Sequence, residues 1–136
     1  MPIILVVDDD AAIRAMYARA LAHIVTVHEA GDGLAALEML ASRRYDMILL
    51  DLHMPGINGF TVLQALNRDA GPNGHTAVCV VSADTSQATR LRAARAHACY
   101  FLTKPVRLST LVALVSDSLH KTLGPPSTPW LAPRAP

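Results

Sequence analysis

The sequence predicts an α/β fold: five strand–helix units, (βα)5, wound into one doubly wound parallel sheet with helices on both faces. Three observations predict it. Short apolar runs recur along the chain, four of them without polar interruption, as strands buried on both faces require. Each run closes on polar or turn residues. Between the runs lie segments whose apolar residues recur at helical spacing. Strands alternating with helices imply parallel pairing and right-handed crossovers.

The elements follow in order. Residues 2–7 are a buried strand ending in Asp8-Asp9-Asp10. Asp10 is a natural N-cap for a helix over 11–22, where Ile13, Tyr17, Ala20 and Leu21 form an apolar stripe. Residues 24–29 are a β-branched, alternating strand. Gly31-Asp32-Gly33 turns the chain into a helix over 34–41 whose face is Leu34, Leu37, Met39 and Leu40. The strand over 45–51 ends in a lone carboxylate, Asp51, followed at once by Pro55, Gly56, Asn58 and Gly59. A helix over 59–68 carries Phe60, Leu63 and Leu66. Residues 69–75 read as a loop by composition. The strand over 76–81 runs into Ser82-Ala83-Asp84, and the helix over 85–96 presents Arg90, Arg92 and Arg95 as a solvated face. The strand over 99–103 ends in Lys104-Pro105. The last helix, over 108–119, has Leu111, Leu114, Val115 and Leu119 as its stripe. The composition then divides the chain into a domain over 1–122 and a Pro-rich tail over 123–136. Prolines remove backbone donors and cannot continue a helix, so the tail is expected to be extended or flexible. Trp130-Leu131 is its only apolar spot.

A length of 136 residues suits one domain with a real core. Hydrophobic residues make up 51% and charged residues 17%, a globular balance. The net charge of +1 offers no electrostatic case for nucleic acid or a membrane surface. No apolar run approaches the ~20 residues of a bilayer span. The amino terminus turns acidic too soon for a secretory signal, so a cytoplasmic location is expected. Cys79 and Cys99 lie in apolar stretches and read as buried, reduced thiols.

For five strands of this kind the flavodoxin-like order 2-1-3-4-5 is expected, with its switch point between the first and third strands. Strands one, three, four and five are then neighbours, and their carboxyl ends form one crevice. Asp8 and Asp9, Asp51, Ser82 and Lys104 meet there. Three adjacent carboxylates repel one another and should not all ionise unaided. A hard divalent cation resolves this, and Mg²⁺ suits oxygen ligands at a surface crevice. With Lys104 the formal charges of the three acids and the metal balance. Such a site can hold a phosphoryl group, with the metal and Lys104 neutralising its oxygens and the Ser82 hydroxyl donating to one. Asp51, alone at the centre, is the nucleophile candidate, since a carboxylate can form an acyl phosphate.

Four stretches carry these groups: Leu-Val-Val-Asp8-Asp9-Asp10, Leu-Leu-Asp51-Leu-His-Met-Pro55-Gly56-Ile-Asn-Gly59, Val-Val-Ser82-Ala83 and Phe101-Leu-Thr-Lys104-Pro105. Together they closely resemble the receiver domain of two-component response regulators, of the single-domain chemotaxis-regulator kind, over about residues 3–121. The resemblance implies that Asp51 accepts a phosphoryl group from a sensor histidine kinase or a histidine phosphotransfer protein. It implies that Asp9, Asp51 and the backbone carbonyl of His53 bind Mg²⁺ and that Asp8 helps through water. Lys104 would pair with Asp51 and then with the phosphoryl. Ser82 and Phe101 match the switch residues, with Tyr100 as an alternative aromatic. Ala83 leaves the site open, and Pro105 holds the turn after the lysine. The output would be an altered face of fourth helix, fifth strand and fifth helix that binds a downstream protein.

Three departures from the family pattern stand out. His53 is unusual two residues after the acceptor, and Asp84, two after Ser82, could face it and modulate the lifetime of the acyl phosphate. His97 stands where a glycine is common before the fifth strand. The switch hydroxyl is Ser rather than Thr. Other functions compete with this one. The chain could be a receiver segment of a hybrid histidine kinase, or a receiver that no longer accepts phosphate. A Mg²⁺-dependent aspartyl phosphatase like the haloacid dehalogenases is weaker, because its second Asp is replaced here by His53.

Overall fold

The computed structural model describes residues 1–68 and 71–120. The Pro-rich tail, with Trp130, lies outside the described residues. The elements are β1 (Ile3–Val7), α1 (Ala11–Leu21), β2 (Thr26–Ala30), α2 (Gly33–Ser42), β3 (Met47–Asp51), α3 (Gly59–Arg68), β4 (Ala77–Ser82), α4 (Gln87–Arg95), β5 (Tyr100–Thr103) and α5 (Leu108–His120). The strands pair in parallel in the order β2-β1-β3-β4-β5, the expected flavodoxin-like order.

Side chains alternate across each strand, so the sheet builds two cores. Leu5, Val7, Ile48, Leu50, Val78, Val80 and Phe101 meet Ala36, Leu40, Val62, Leu63 and Ala93 from α2, α3 and α4. Ile4, Val6, Met47, Leu49, Cys79, Val81 and Leu102 meet Tyr17, Leu21, Leu111, Leu114 and Val115 from α1 and α5. Every residue of β3 is buried, as a central strand covered on both faces demands. Full burial of each such aliphatic side chain contributes roughly 1.5–3 kcal/mol, and that anchors the strand whose end presents Asp51.

The strand and helix limits differ from the sequence reading where local hydrogen bonds claim the backbone first. β2 begins at Thr26, because the amides of Ile24 and Val25 both donate to Leu21 O at the end of α1. Tyr45 falls outside β3, because its amide donates to the side chain of Asn73 at 2.7 Å. The helix expected from residue 85 begins at Gln87, because Ser86 caps it by accepting from the amide of Thr89. Leu34, expected on the inner face of its helix, is 57% exposed, and Ala36 takes the buried position. Cys79 is buried as expected, but Cys99 is exposed, because it precedes β5 rather than lying in it.

Candidate functional site

The acidic run after β1 divides into three different environments. Asp8 is buried. Its amide still donates to Ala30 O at the end of β2, and its Oδ1 accepts from the amide of Asp10. Asp9 is exposed. Asp10 caps α1, its Oδ1 accepting from the amides of Ala12 and Ile13. Helix-capping by Asp10 is the role its place in the sequence predicts.

Asp51 ends β3 and is only 3% exposed. Its Oδ1 accepts from the amide of His53 at 3.1 Å, which folds the turn after the strand back onto the carboxylate. Lys104 follows β5. Its Nζ lies 3.1 Å from Asp8 Oδ2 and 3.4 Å from Asp51 Oδ2, one ammonium shared by two buried acids. The Lys104 amide donates to Ser82 O, which ties the ends of β4 and β5 together beneath the site. The Lys104–Pro105 bond is cis.

Burial is the main influence on Asp51 and pushes its carboxyl above the usual range, with the Asp8 charge acting the same way; the His53 amide and Lys104 offset part of this. Burial pulls Lys104 down, but its bond to Asp8 and the charges of Asp51 and Asp8 outweigh it, so Lys104 is held above its ordinary value. Oxygens of Asp8, Asp9 and Asp51 lie within 4.8 Å of one another. All three donors are hard carboxylate oxygens, and one of them faces solvent. Oxygens bound at ~2.1 Å around a single Mg²⁺ sit within about 4.2 Å of each other. Small side-chain rotations close that difference, so the residues fit a hard divalent cation.

Start of α3 is packed hard against the end of β3. The Gly59 amide donates to Leu52 O, and a Cβ on Gly59 would come within 2.7 Å of Leu52 Cα. Only glycine lets the helix begin there, and Asn58 Oδ1 caps it by accepting from the Thr61 amide.

Ser82 is fully buried at the end of β4, and its Oγ accepts from the amide of Asp84. Ala83 is exposed. The Asp84 carboxylate is turned to α4, accepting from Thr89 Oγ1 at 2.6 Å and from the Ser86 amide at 2.9 Å. The Thr89 bond and then the two contacts with Ser86 hold its carboxyl down to about 2, while His53 is the smallest of the influences. Asp84 therefore anchors the start of α4 through Ser86 and Thr89, and the charge of His53, which the sequence placed across from it, acts on it only weakly.

Phe101 is buried, and the Arg90 guanidinium carbon lies 4.6 Å from its ring centroid while Arg90 Nη2 donates to Thr103 Oγ1. Arg92 lies 3.8 Å over the ring of Phe60. These two arginines cover aromatic rings from α4 rather than forming only a solvated face. His97 has φ +68°, the left-handed conformation that glycine adopts freely, in agreement with its unusual place in the sequence.

Sequence reasoning missed Arg14. From α1 its Nη1 donates to the backbone carbonyl of Asp8 at 2.6 Å, and its Nε pairs with Glu29 Oε1 at 3.0 Å. The available signal was a cation four residues after the Asp10 cap, on the first turns of a helix that opens from three acids.

Residues 4–116 match the family model described as the response regulator receiver domain. Among curated proteins, the chain is 40% identical over 128 residues to the response regulator PleD of Caulobacter vibrioides, covering 87% of this chain and 28% of that protein. It is 37% identical over 120 residues to the response regulator MprA of Mycobacterium tuberculosis, covering 88% and 51%. The chain thus spans about a quarter to a half of the length of these relatives. Among solved structures, it superposes on the chemotaxis protein CheY4 of Vibrio cholerae with a TM-score of 0.81 at 28% identity, covering 88% of this chain and 99% of that one.

Proposed function

The chain belongs to the response-regulator receiver family of two-component signalling, and on that premise we propose that it is a phospho-accepting receiver whose acceptor is Asp51. One observation carries the reading. Oxygens of Asp8, Asp9 and Asp51 converge within 4.8 Å, and Lys104 Nζ lies 3.1 and 3.4 Å from two of those acids. Response regulators take their phosphoryl group from histidine kinases. Here the donor would be a phosphohistidine on a sensor kinase or on a phosphotransfer protein. An Asp51 oxygen attacks phosphorus, the P–N bond breaks, and the imidazole leaves with its electron pair.

Asp8, Asp9, Asp51 and the His53 carbonyl would hold Mg²⁺, which supplies charge neutralisation for the phosphoryl oxygens. The chain's own residues do the rest. Lys104 meets the developing negative charge from its place 3.4 Å from Asp51 Oδ2. The Ser82 hydroxyl donates to a phosphoryl oxygen while its Oγ still accepts from the Asp84 amide, which draws in the start of α4. Phe101 lies beneath α4 and follows that movement. His53, Ala83 and Asp84 line the approach of water and set the lifetime of the acyl phosphate, while Pro105 shapes the turn after Lys104. The altered α4, β5 and α5 would then bind a downstream protein. No helix among the described residues is long and apolar enough to cross a membrane, which is compatible with a cytoplasmic signalling role.

Incubating the full chain with Mg²⁺ and acetyl phosphate tests this by intact mass. One added phosphoryl group is expected on the parent, and none on Asp51→Asn or without Mg²⁺. A parent that gains no phosphoryl group and binds no beryllofluoride would sink the reading.

A further inference from the structure

We propose that Arg14 is a positioning residue for the carboxylate of Asp9, acting through the peptide unit that joins Asp8 to Asp9; this rests on the reading of the acidic cluster as a Mg²⁺ site. The three acids are not held alike. Asp8 is fixed by Lys104 and by the Asp10 amide. Asp51 is fixed by the His53 amide and Lys104. Among the described residues no hydrogen bond or ion pair holds the exposed Asp9 carboxylate, so its placement depends on its backbone.

That backbone is what Arg14 grips. The Asp8 carbonyl and the Asp9 amide belong to one planar unit. Fixing the carbonyl oxygen fixes the plane, and with it the direction in which Asp9 leaves the chain. Arg14 Nη1 lies 2.6 Å from that oxygen. The guanidinium is itself located: its side chain is only 18% exposed, and Glu29 Oε1 holds Nε at 3.0 Å from the end of β2. A Cβ on Gly31 would stand 3.2 Å from Nη1, so the glycine leaves the space the guanidinium fills. The Arg14 amide donates to Asp10 O, which sets the turn of α1 against the acidic run. Glu29 also neutralises the guanidinium, so a cation can be used for positioning beside a site that binds another cation.

Charge and position predict opposite signs for removal of Arg14. Deleting a cation near a Mg²⁺ site tightens binding on Coulomb grounds alone. Loosening a metal-ligand support weakens it, typically by about 10–100-fold. Arg14→Lys keeps the charge, but an ammonium reaches only one of the two acceptors that the guanidinium fork spans.

The test is isothermal titration of the full chain with Mg²⁺, for the parent, Asp9→Asn, Arg14→Ala and Arg14→Lys, with a thermal melt of each. Asp9→Asn is expected to lose most of the affinity, Arg14→Ala about tenfold, and Arg14→Lys to stay weakened. The Asp9 amide resonance, whose nitrogen lies in the gripped peptide unit, should shift in both Arg14 variants, while that of Leu50 in β3 stays in place. Should Arg14→Ala fail to fold, Arg14→Lys carries the comparison. If Asp9→Asn loses affinity while the folded Arg14 variants bind as tightly as the parent, or more tightly, the positioning role is overturned and the metal site stands. If the parent binds no Mg²⁺, or Asp9→Asn binds like the parent, the metal reading falls and this proposal falls with it.

Discussion

Asp51 is a buried acid placed beside a second buried acid, and its neighbours only partly relieve it. Burial raises its carboxyl above the ordinary value, with the Asp8 charge adding to that, against the His53 amide and Lys104. The sign of the consequence follows from linkage. An acid raised in the folded state adds stability below its unfolded value and loses that contribution as pH rises through the folded value. At neutral pH the ionised Asp51 is therefore a net cost to the fold. In the absence of Mg²⁺, Asp51→Asn should raise Tm at pH 7 by a few degrees, the scale of about 1 kcal/mol in a domain of this size. The gain should shrink as pH falls and vanish below about pH 3, where an ordinary Asp is itself largely protonated. A lower Tm for the variant at pH 7 would show the carboxylate to be a net stabiliser. This residue was legible in the sequence because it stands alone between an apolar strand and a turn. So were Asp8, Asp9, Ser82 and Lys104, since a parallel sheet brings every strand's carboxyl end to one edge. Arg14 was not, because its importance lies in gripping a backbone oxygen, and no residue pattern marks a carbonyl that needs a donor.

Elements were legible where the controlling contacts are local. Asp10 caps α1 from the position its sequence neighbours predict, because a cap bonds to amides two or three residues ahead, and Asp32, read only as part of a turn, caps α2 in the same way. Asn73 is the opposite case. It sat in a stretch that read as loop, yet it is buried and fully bonded. Its Oδ1 accepts from the Tyr45 amide, and its Nδ2 donates to Leu40 O and Arg43 O, each at 2.7 Å. Those partners lie 28 to 33 residues away, beyond any sequence period. Asn73 therefore joins the start of β4 to the end of α2 and the approach to β3. Asn73→Ala leaves a buried amide and two carbonyls without their partner. Each unsatisfied buried group costs roughly 1–3 kcal/mol, so with three such groups the variant should lose at least about 3 kcal/mol in urea unfolding with little change in slope. A loss below about 0.5 kcal/mol would mean that water replaces the side chain there at no cost.

At the scale of the whole molecule, the site and the proposed output face are joined by a short run of hydrogen bonds. Ser82 ends β4, its Oγ holds the Asp84 amide, and Asp84 in turn holds Ser86 and Thr89 at the start of α4. One turn of helix later, Arg90 covers Phe101 and bonds Thr103, whose neighbour is Lys104. A charge arriving on Asp51 that recruits Ser82 and Lys104 thus acts on both ends of one loop through α4 and β5. On the far side of the sheet, among the described residues, β2 meets the site through Ala30 O and the Glu29–Arg14 pair. This asymmetry predicts where a phosphoryl stand-in is felt. With Mg²⁺ and beryllofluoride bound, amide exchange should change over residues 82–90 and 101–108, while α2 and the outer edge of β2 keep the exchange rates of the Mg²⁺-bound protein. An effect spread evenly over the chain, or concentrated in α2, would mean that the signal leaves Asp51 by another route and that the α4 cap network is only structural. An effect confined to the loop after β3 would place the whole response at the site, with no conformational output through α4.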